Sequence, residues 1–363
     1  MFSNKKILIA PNAFKGTLTA NEVAESISNA VHENSQPQSL KILPLADGGD
    51  GTLRVLTAAL NLEITECQTV DPLGREINAL YGIKDGAAYF ELAEASGIQH
   101  LRKEELDPSI ANTFGTGLLI LDAIKQGIKD IRLFCGGSAS VDLGFGIIAA
   151  LAGIQKYSKT NPIFSFQSIL TEAHHLRNKY SDISFSIYTD VNNKLLGENG
   201  SINVFGRQKG IKEEEIERYE KTFTQIATAL NYEDDISGMG ASGGLPFAFY
   251  QIFNVIPVLA TKEIFKLLNL RQEIRESDMV ITGEGSFDEQ SIQGKLTGEI
   301  WKECVINSKD LIIVSAIDGH YKLEGAEVVI LRSYLEDQER DKMNYIDQLS
   351  TALRRYIQKN TPY

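Results

Sequence analysis

Cysteine is scarce in this chain. Cys67, Cys135 and Cys304 are its only three, far apart and without CxxC spacing, which argues against a disulfide framework and a cysteine-based zinc site. The longest apolar stretch near the N-terminus, in "MFSNKKILIA", stops at Pro11. That is too short for a signal-peptide core or a membrane span, so it reads as a first strand and the cytoplasm is the expected compartment. Positive charge is also in deficit: the net charge is −12 and the pI is near 5.1. A protein of that balance lacks the Lys/Arg footprint that neutralises nucleic-acid phosphates, and any anionic ligand must meet a local basic spot. No Pro/Ser-rich linker, internal repeat or low-complexity tract interrupts the chain. Neither His174-His175 nor His320 has a metal-ligand partner at useful spacing, and the pair reads as helix surface.

Several nucleotide signatures are missing too. A Walker A loop would need glycine and Ser/Thr where Glu289 and Leu296 flank the Gly294-Lys295 pair. The GxGxxG match in "GMGASG" follows a helical stretch rather than a strand, which removes the context of a dinucleotide fingerprint. The HRD and DFG motifs of protein kinases are absent.

What is present describes an α/β protein. With 363 residues, 43 % of them hydrophobic, the chain can bury a large core and is long enough for two domains. "KKILIAPN", "LKILPLADGG", "DMVITGEG", "LIIVSAIDG" and "AEVVILRS" are short runs rich in Ile, Leu and Val, as strands buried on both faces are. A helix between the first two is marked by capping-box spacing of Thr19 and Glu22 and by Val23, Ile27 and Val31 on one face. "GEIWKECVI" supplies a helix between the third and fourth, a β-α-β rhythm that predicts a doubly wound parallel sheet. The middle differs: "EITECQTV", "REINALYGI" and "AAYFELAEA" are joined by "DPLG" and "KDG", turn signals at hairpin distance. "KEEEIERYEKTFTQIATAL" predicts a further helix with Ile216, Tyr219, Phe223, Ile226 and Leu230 on its apolar face. The expected division is residues 1–65 with 256–363 in one parallel-sheet domain, and 66–255 as an inserted mixed α+β domain.

Six glycine-rich segments punctuate this pattern: "APNAFKGTLTA", "LADGGDGT", "CGGSASVDLGFG", "TDVNNKLLGENG", "GMGASGG" and "ITGEGSFDEQSIQGK". Each alone reads as a turn, but backbone amides near helix N-termini also make anion sites, and in open α/β sheets such loops gather at the carboxyl ends of strands. Asp47, Asp50, Asp142, Asp190, Glu284 and Asp288 lie in or beside these loops, with Lys15, Lys209 and Lys295. Phosphoryl transfer needs carboxylates to hold Mg²⁺ and to take a proton from the attacking hydroxyl, and cations to meet the phosphates.

These blocks, in order from about residue 7 to 318, resemble the signature segments of the bacterial glycerate kinase type-1 family. The resemblance implies transfer of the γ-phosphoryl group of ATP to D-glycerate with Mg²⁺, usually giving 2-phosphoglycerate. It also implies a flavodoxin-like domain built from both chain ends, a second domain inserted in it, and an active site in the cleft between them. Departures from the family pattern are Asn12-Ala13 for Asp-Ser, Asp50 for Glu, Val141 for Asn, Ser286 for Arg and Gln293 for His.

With that resemblance, Asp190, Asp288 and Lys15 are the expected catalytic residues, one aspartate orienting or deprotonating the hydroxyl. ATP is expected over Gly136, Gly137, Ser138, Gly240, Gly243 and Gly244, with Lys295 beside it. Asp47, Gly48, Gly49, Arg207, Gln208, Lys209 and Glu284 are the expected substrate residues, and Asp47, Asp190 and Asp288 the metal ligands. The partner is a small molecule, neither nucleic acid nor membrane, and the protein is a monomer or homodimer. Two other readings stay open: a kinase for a related hydroxy acid or sugar acid, or one giving 3-phosphoglycerate, and a non-catalytic sensor of nucleotide or glycerate.

Overall fold

A computed structural model describes residues 2–154, 159–232, 236–292, 295–319 and 323–360. Gln293, Gly294 and His320 lie outside the described residues. The strands, in chain order, are β1 (Lys6–Ile9), β2 (Ser39–Ile42), β3 (Glu63–Val70), β4 (Glu76–Lys84), β5 (Ala87–Glu91), β6 (Asp130–Phe134), β7 (Ser184–Thr189), β8 (Val258–Leu259), β9 (Met279–Phe287), β10 (Asp310–Asp318) and β11 (Glu327–Ile330). Internal contacts divide the chain into two compact units, Met1–Asp47 with Ile264–Tyr363, and Gly48–Glu263. These limits differ from 65 and 255 because the helix Thr52–Leu60 packs on β4 and β5 and because β8 pairs with β7, all strands of the second unit.

The first unit holds a five-stranded sheet in the order β2-β1-β9-β10-β11, parallel throughout. Counted within the unit this is 2-1-3-4-5, the flavodoxin-like order. Its inner strands β1, β9 and β10 are apolar on both faces because both are covered, whereas the edge strand β2 is largely exposed, against the expectation for "LKILPLADGG". Ile7, Ile9, Met279, Ile281, Ile312 and Val314 share a core with the helices Ala20–Asn34 and Tyr345–Asn360. The alternate residues Leu8, Val280, Leu311 and Ile313 are equally buried, on the side where the helix Leu296–Ile306 meets β9 and β10. The helix Ala20–Asn34 starts where its capping box predicts: Glu22 donates its amide to Thr19 Oγ1 at 3.3 Å and accepts the Thr19 amide at 2.8 Å.

The second unit holds a six-stranded sheet in the order β3 to β8, antiparallel across β3-β4-β5 and parallel from β5 onward. Asp85 (φ 50°) and Gly86 (φ 77°) make the β4–β5 turn, both in the left-handed region, as a two-residue hairpin of type I′ requires. The "DPLG" turn is held by Asp71 Oδ1, which accepts the amides of Leu73 and Arg75 at 2.9 Å each. The predicted helix after "KEEE" runs Ile216–Ala229 and buries Ile216, Tyr219, Phe223 and Ile226.

Candidate active site

In the first unit the strand order reverses at β1, which pairs with β2 on one side and β9 on the other. Ligands of open α/β sheets bind at the carboxyl ends of strands at such a reversal. The segment leaving β1 stays beside β9: the Ala10 amide donates to Ile281 O at 2.8 Å, and the Asn12 amide to Gly283 O at 2.9 Å. Phe14 is buried and anchors the loop, whose next residue, Lys15, is 72 % exposed in its side chain. Its ammonium lies 2.9 Å from Asp47 Oδ2, in the loop that leaves β2. Asn12 accepts the Ala13 amide on Oδ1 at 2.8 Å, so the residue that departs from the family pattern shapes the backbone just before Lys15.

β9 contributes Glu284 near its end and Asp288 immediately after it. Burial pushes the Glu284 carboxyl up from the usual range, while the Thr297 and Ser291 hydroxyls and the Lys295 ammonium pull the other way. Its Oε1 is buried and has no hydrogen-bond partner among the described residues. Asp288 accepts the Ser291 amide on Oδ1 at 3.2 Å, which starts the short turn Glu289–Ile292. Lys295 is then the N-cap residue of the helix Leu296–Ile306, without a side-chain bond to its amides. Lys15, Asp47, Glu284, Asp288 and Lys295 thus all belong to loops or strand ends of one parallel sheet.

In the second unit, the ends of β6 and β7 carry Gly136-Gly137-Ser138 and Asp190. Gly136 donates its amide to Gly48 O at 2.9 Å, and a Cβ on Gly136 would stand 2.1 Å from Gly49 Cα, so the two glycine loops touch through backbone. Lys209 is only 3 % exposed and donates from Nζ to Ser138 O at 2.6 Å and to Ser138 Oγ. Burial pushes its ammonium down to about 8, against the fields of Asp190 and Asp142. Arg207 is committed as well, holding Glu213 by two bonds of 2.7 Å, while Gln208 is exposed. These two cations, expected to meet the substrate, are therefore engaged by protein groups; Lys209 acts on the Ser138 loop.

The "GMGASGG" glycines have a packing cause. A Cβ would stand 2.0 Å from Lys194 O at Gly240, 2.1 Å from Ser140 O at Gly243 and 2.5 Å from Leu143 Cδ2 at Gly244. Asp142 is a buried structural hub, accepting from the Thr113 amide at 2.8 Å, the Thr113 hydroxyl at 2.7 Å and the Gly146 amide at 3.1 Å. Glu91, which the sequence pattern did not single out, ends β5 in a wholly buried run and caps the helix Thr52–Leu60. Its only sequence signal is an acid closing an apolar strand. Among the described residues, no group of three or more His, Cys, Asp or Glu could by itself hold a metal ion.

A model of the Glycerate kinase family matches residues 7–357. The chain belongs to that family. It is therefore an enzyme of the kinase class. It is 35 % identical over 303 residues to the Glycerate 2-kinase of Escherichia coli (strain K12), covering 80 % of each chain. It is 31 % identical over 301 residues to the Glycerate kinase of Halalkalibacterium halodurans, covering 80 % of this chain and 79 % of that one. A crystal structure from Salmonella typhimurium LT2, described as a "putative glycerate kinase 2", superposes with a TM-score of 0.73 at 28 % identity, over 98 % of this chain and 97 % of that one.

Proposed function

We propose that this family member transfers the γ-phosphoryl group of ATP to D-glycerate, giving 2-phosphoglycerate. The observation that carries this reading is the set of Lys15, Asp47, Glu284 and Asp288 at the reversal point of the parallel sheet, in a chain whose family members are named for glycerate. Lys15 meets the carboxylate of the substrate, and Glu284, with an unpaired buried oxygen, accepts a substrate hydroxyl. Asp288 or Asp190, each placed directly after a parallel strand, orients or deprotonates the attacking hydroxyl. The amides of 136–138 and the 238–244 turn face the nucleotide, with Lys295 as counter-charge.

The donor set fits Mg²⁺ rather than a cation that needs a full protein cage. Mg²⁺ keeps several waters and takes one or two carboxylates together with substrate phosphates, so the lack of a three-ligand cluster is no obstacle. One or two of Asp47, Asp190 and Asp288 would hold it, and the ion would neutralise charge on the phosphate oxygens. Among the described residues no helix is long and apolar enough to cross a membrane. A cytoplasmic location and a monomeric or homodimeric state are part of the same proposal.

ADP release measured with D-glycerate, L-glycerate, glycolate and tartronate tests the assignment. D-glycerate is expected to give the highest kcat/KM. A higher value for another acid would move the substrate, a reading favoured by Asn12 and Ala13 beside Lys15; no ADP release with any acid would leave the sensor.

A further inference from the structure

Glu91 has no place in the chemistry above, yet it is among the most deeply buried carboxylates of the second unit, 3 % exposed at the end of β5. Its Oε1 accepts the Gly51 amide at 3.0 Å and its Oε2 the Leu53 amide at 2.8 Å. Those amides open the helix Thr52–Leu60, whose own N-cap, Gly51 in the left-handed region (φ 86°), has no side chain to offer. The amide between them, of Thr52, donates to Gly49 O at 3.2 Å, and the Thr52 hydroxyl donates to the same oxygen at 2.6 Å. The amides of Gly51, Thr52 and Leu53 are thus taken before any ligand arrives.

This changes what the sequence "ADGGDGT" means. Glycines before a helix N-terminus make a ready anion site, but here a protein carboxylate occupies it. Among the described residues Glu91 has no ion-pair partner, and the charges that bear on it, Glu94 and Asp50, are acids, so amides and the helix dipole, not a cation, hold its charge. Burial accordingly pushes the Glu91 carboxyl up to about 7. The clamp extends one step further, because Gly48 O accepts the Gly136 amide at 2.9 Å, tying the same loop to the glycines after β6.

We propose that Glu91 is the positioning residue of the Gly48–Gly51 loop: it fills the helix N-terminus in place of a phosphate and fixes the backbone that presents Gly48 and Gly49 to the hydroxy acid. The part concerning the hydroxy acid rests on the proposed function; the clamp does not.

The test uses the full chain with Glu91→Gln and Glu91→Ala. A glutamine accepts one amide bond through its oxygen but loses the charge, so Glu91→Gln is expected to fold while the KM for D-glycerate rises about tenfold and the KM for ATP stays within about twofold. Amide hydrogen exchange at Gly51 and Leu53 is expected to quicken by about tenfold or more in both variants. Formate, a small carboxylate that fits the vacated position, is expected to slow that exchange again in Glu91→Ala and leave wild type unchanged. Unaltered exchange at both amides would overturn the clamp. Faster exchange with an unaltered KM for D-glycerate would reduce Glu91 to a helix cap and overturn the positioning role. Should wild type fail to turn over D-glycerate, the proposed function falls, and exchange still decides the clamp.

Discussion

Replacing Lys209 with methionine tests whether an ammonium is held inside the second unit. The wild-type side chain is buried and its Nζ donates to Ser138 O and Oγ. Its proton is lost near 8 in the folded protein and near 10.5 in an unfolded lysine. At about 1.36 kcal/mol per pH unit, burying the charged form costs about 3 kcal/mol at neutral pH. The pH dependence separates the two proteins. Between 8 and 10.5 the unfolded chain binds the proton and the folded chain does not, so the stability of wild type rises with pH through that window. Relative to Lys209→Met, wild type should gain about 2 kcal/mol from about pH 7 to about pH 9.5, other groups cancelling in the difference. Urea unfolding of both proteins across that range measures it. A difference that stays flat within about 0.5 kcal/mol would refute a buried charge at this position.

Further consequences can be checked separately. Asp288→Asn and Asp190→Asn should each lower turnover by about 10²-fold or more, with nucleotide affinity by calorimetry changed much less; a variant retaining a tenth of wild-type turnover would remove that residue from the catalytic set. Gly136→Ala and Gly243→Ala should lose about 1 to 3 kcal/mol in denaturant titrations, because the new Cβ would meet backbone at 2.1 Å in both cases. Lys15→Met should raise the KM for D-glycerate by about tenfold or more while the melting temperature stays within a few degrees, since the Lys15–Asp47 pair is largely exposed on the lysine side and contributes at most about 1 kcal/mol.

What could be read from the sequence was local. Thr19 and Glu22 announced a helix start because a capping box lies within four residues, and Asp85-Gly86 announced a hairpin because its turn needs two residues tolerant of positive φ. The apolar runs at both chain ends signalled a parallel sheet because strands covered on both faces have no polar alternation. What could not be read depends on groups distant in sequence. Gly51 and Leu53 find their carboxylate about forty residues away, at Glu91. Lys209 finds Ser138 across seventy-one residues, a bond that sequence spacing does not announce. The glycines at 240, 243 and 244 have a packing cause that the sequence does not show: Lys194 O stands against Gly240, Ser140 O against Gly243, and the Leu143 and Leu195 side chains against Gly244.

The central claim is that this chain moves a phosphoryl group from ATP to the C2 hydroxyl of D-glycerate. Proton-coupled phosphorus NMR of a reaction containing the purified protein, ATP, Mg²⁺ and D-glycerate reads both the transfer and its position. The account predicts a new phosphomonoester signal split into a doublet by the single proton on C2, appearing in step with ADP. A triplet from the C3 methylene would contradict the assigned hydroxyl, and a spectrum with no new phosphomonoester would contradict the transfer itself.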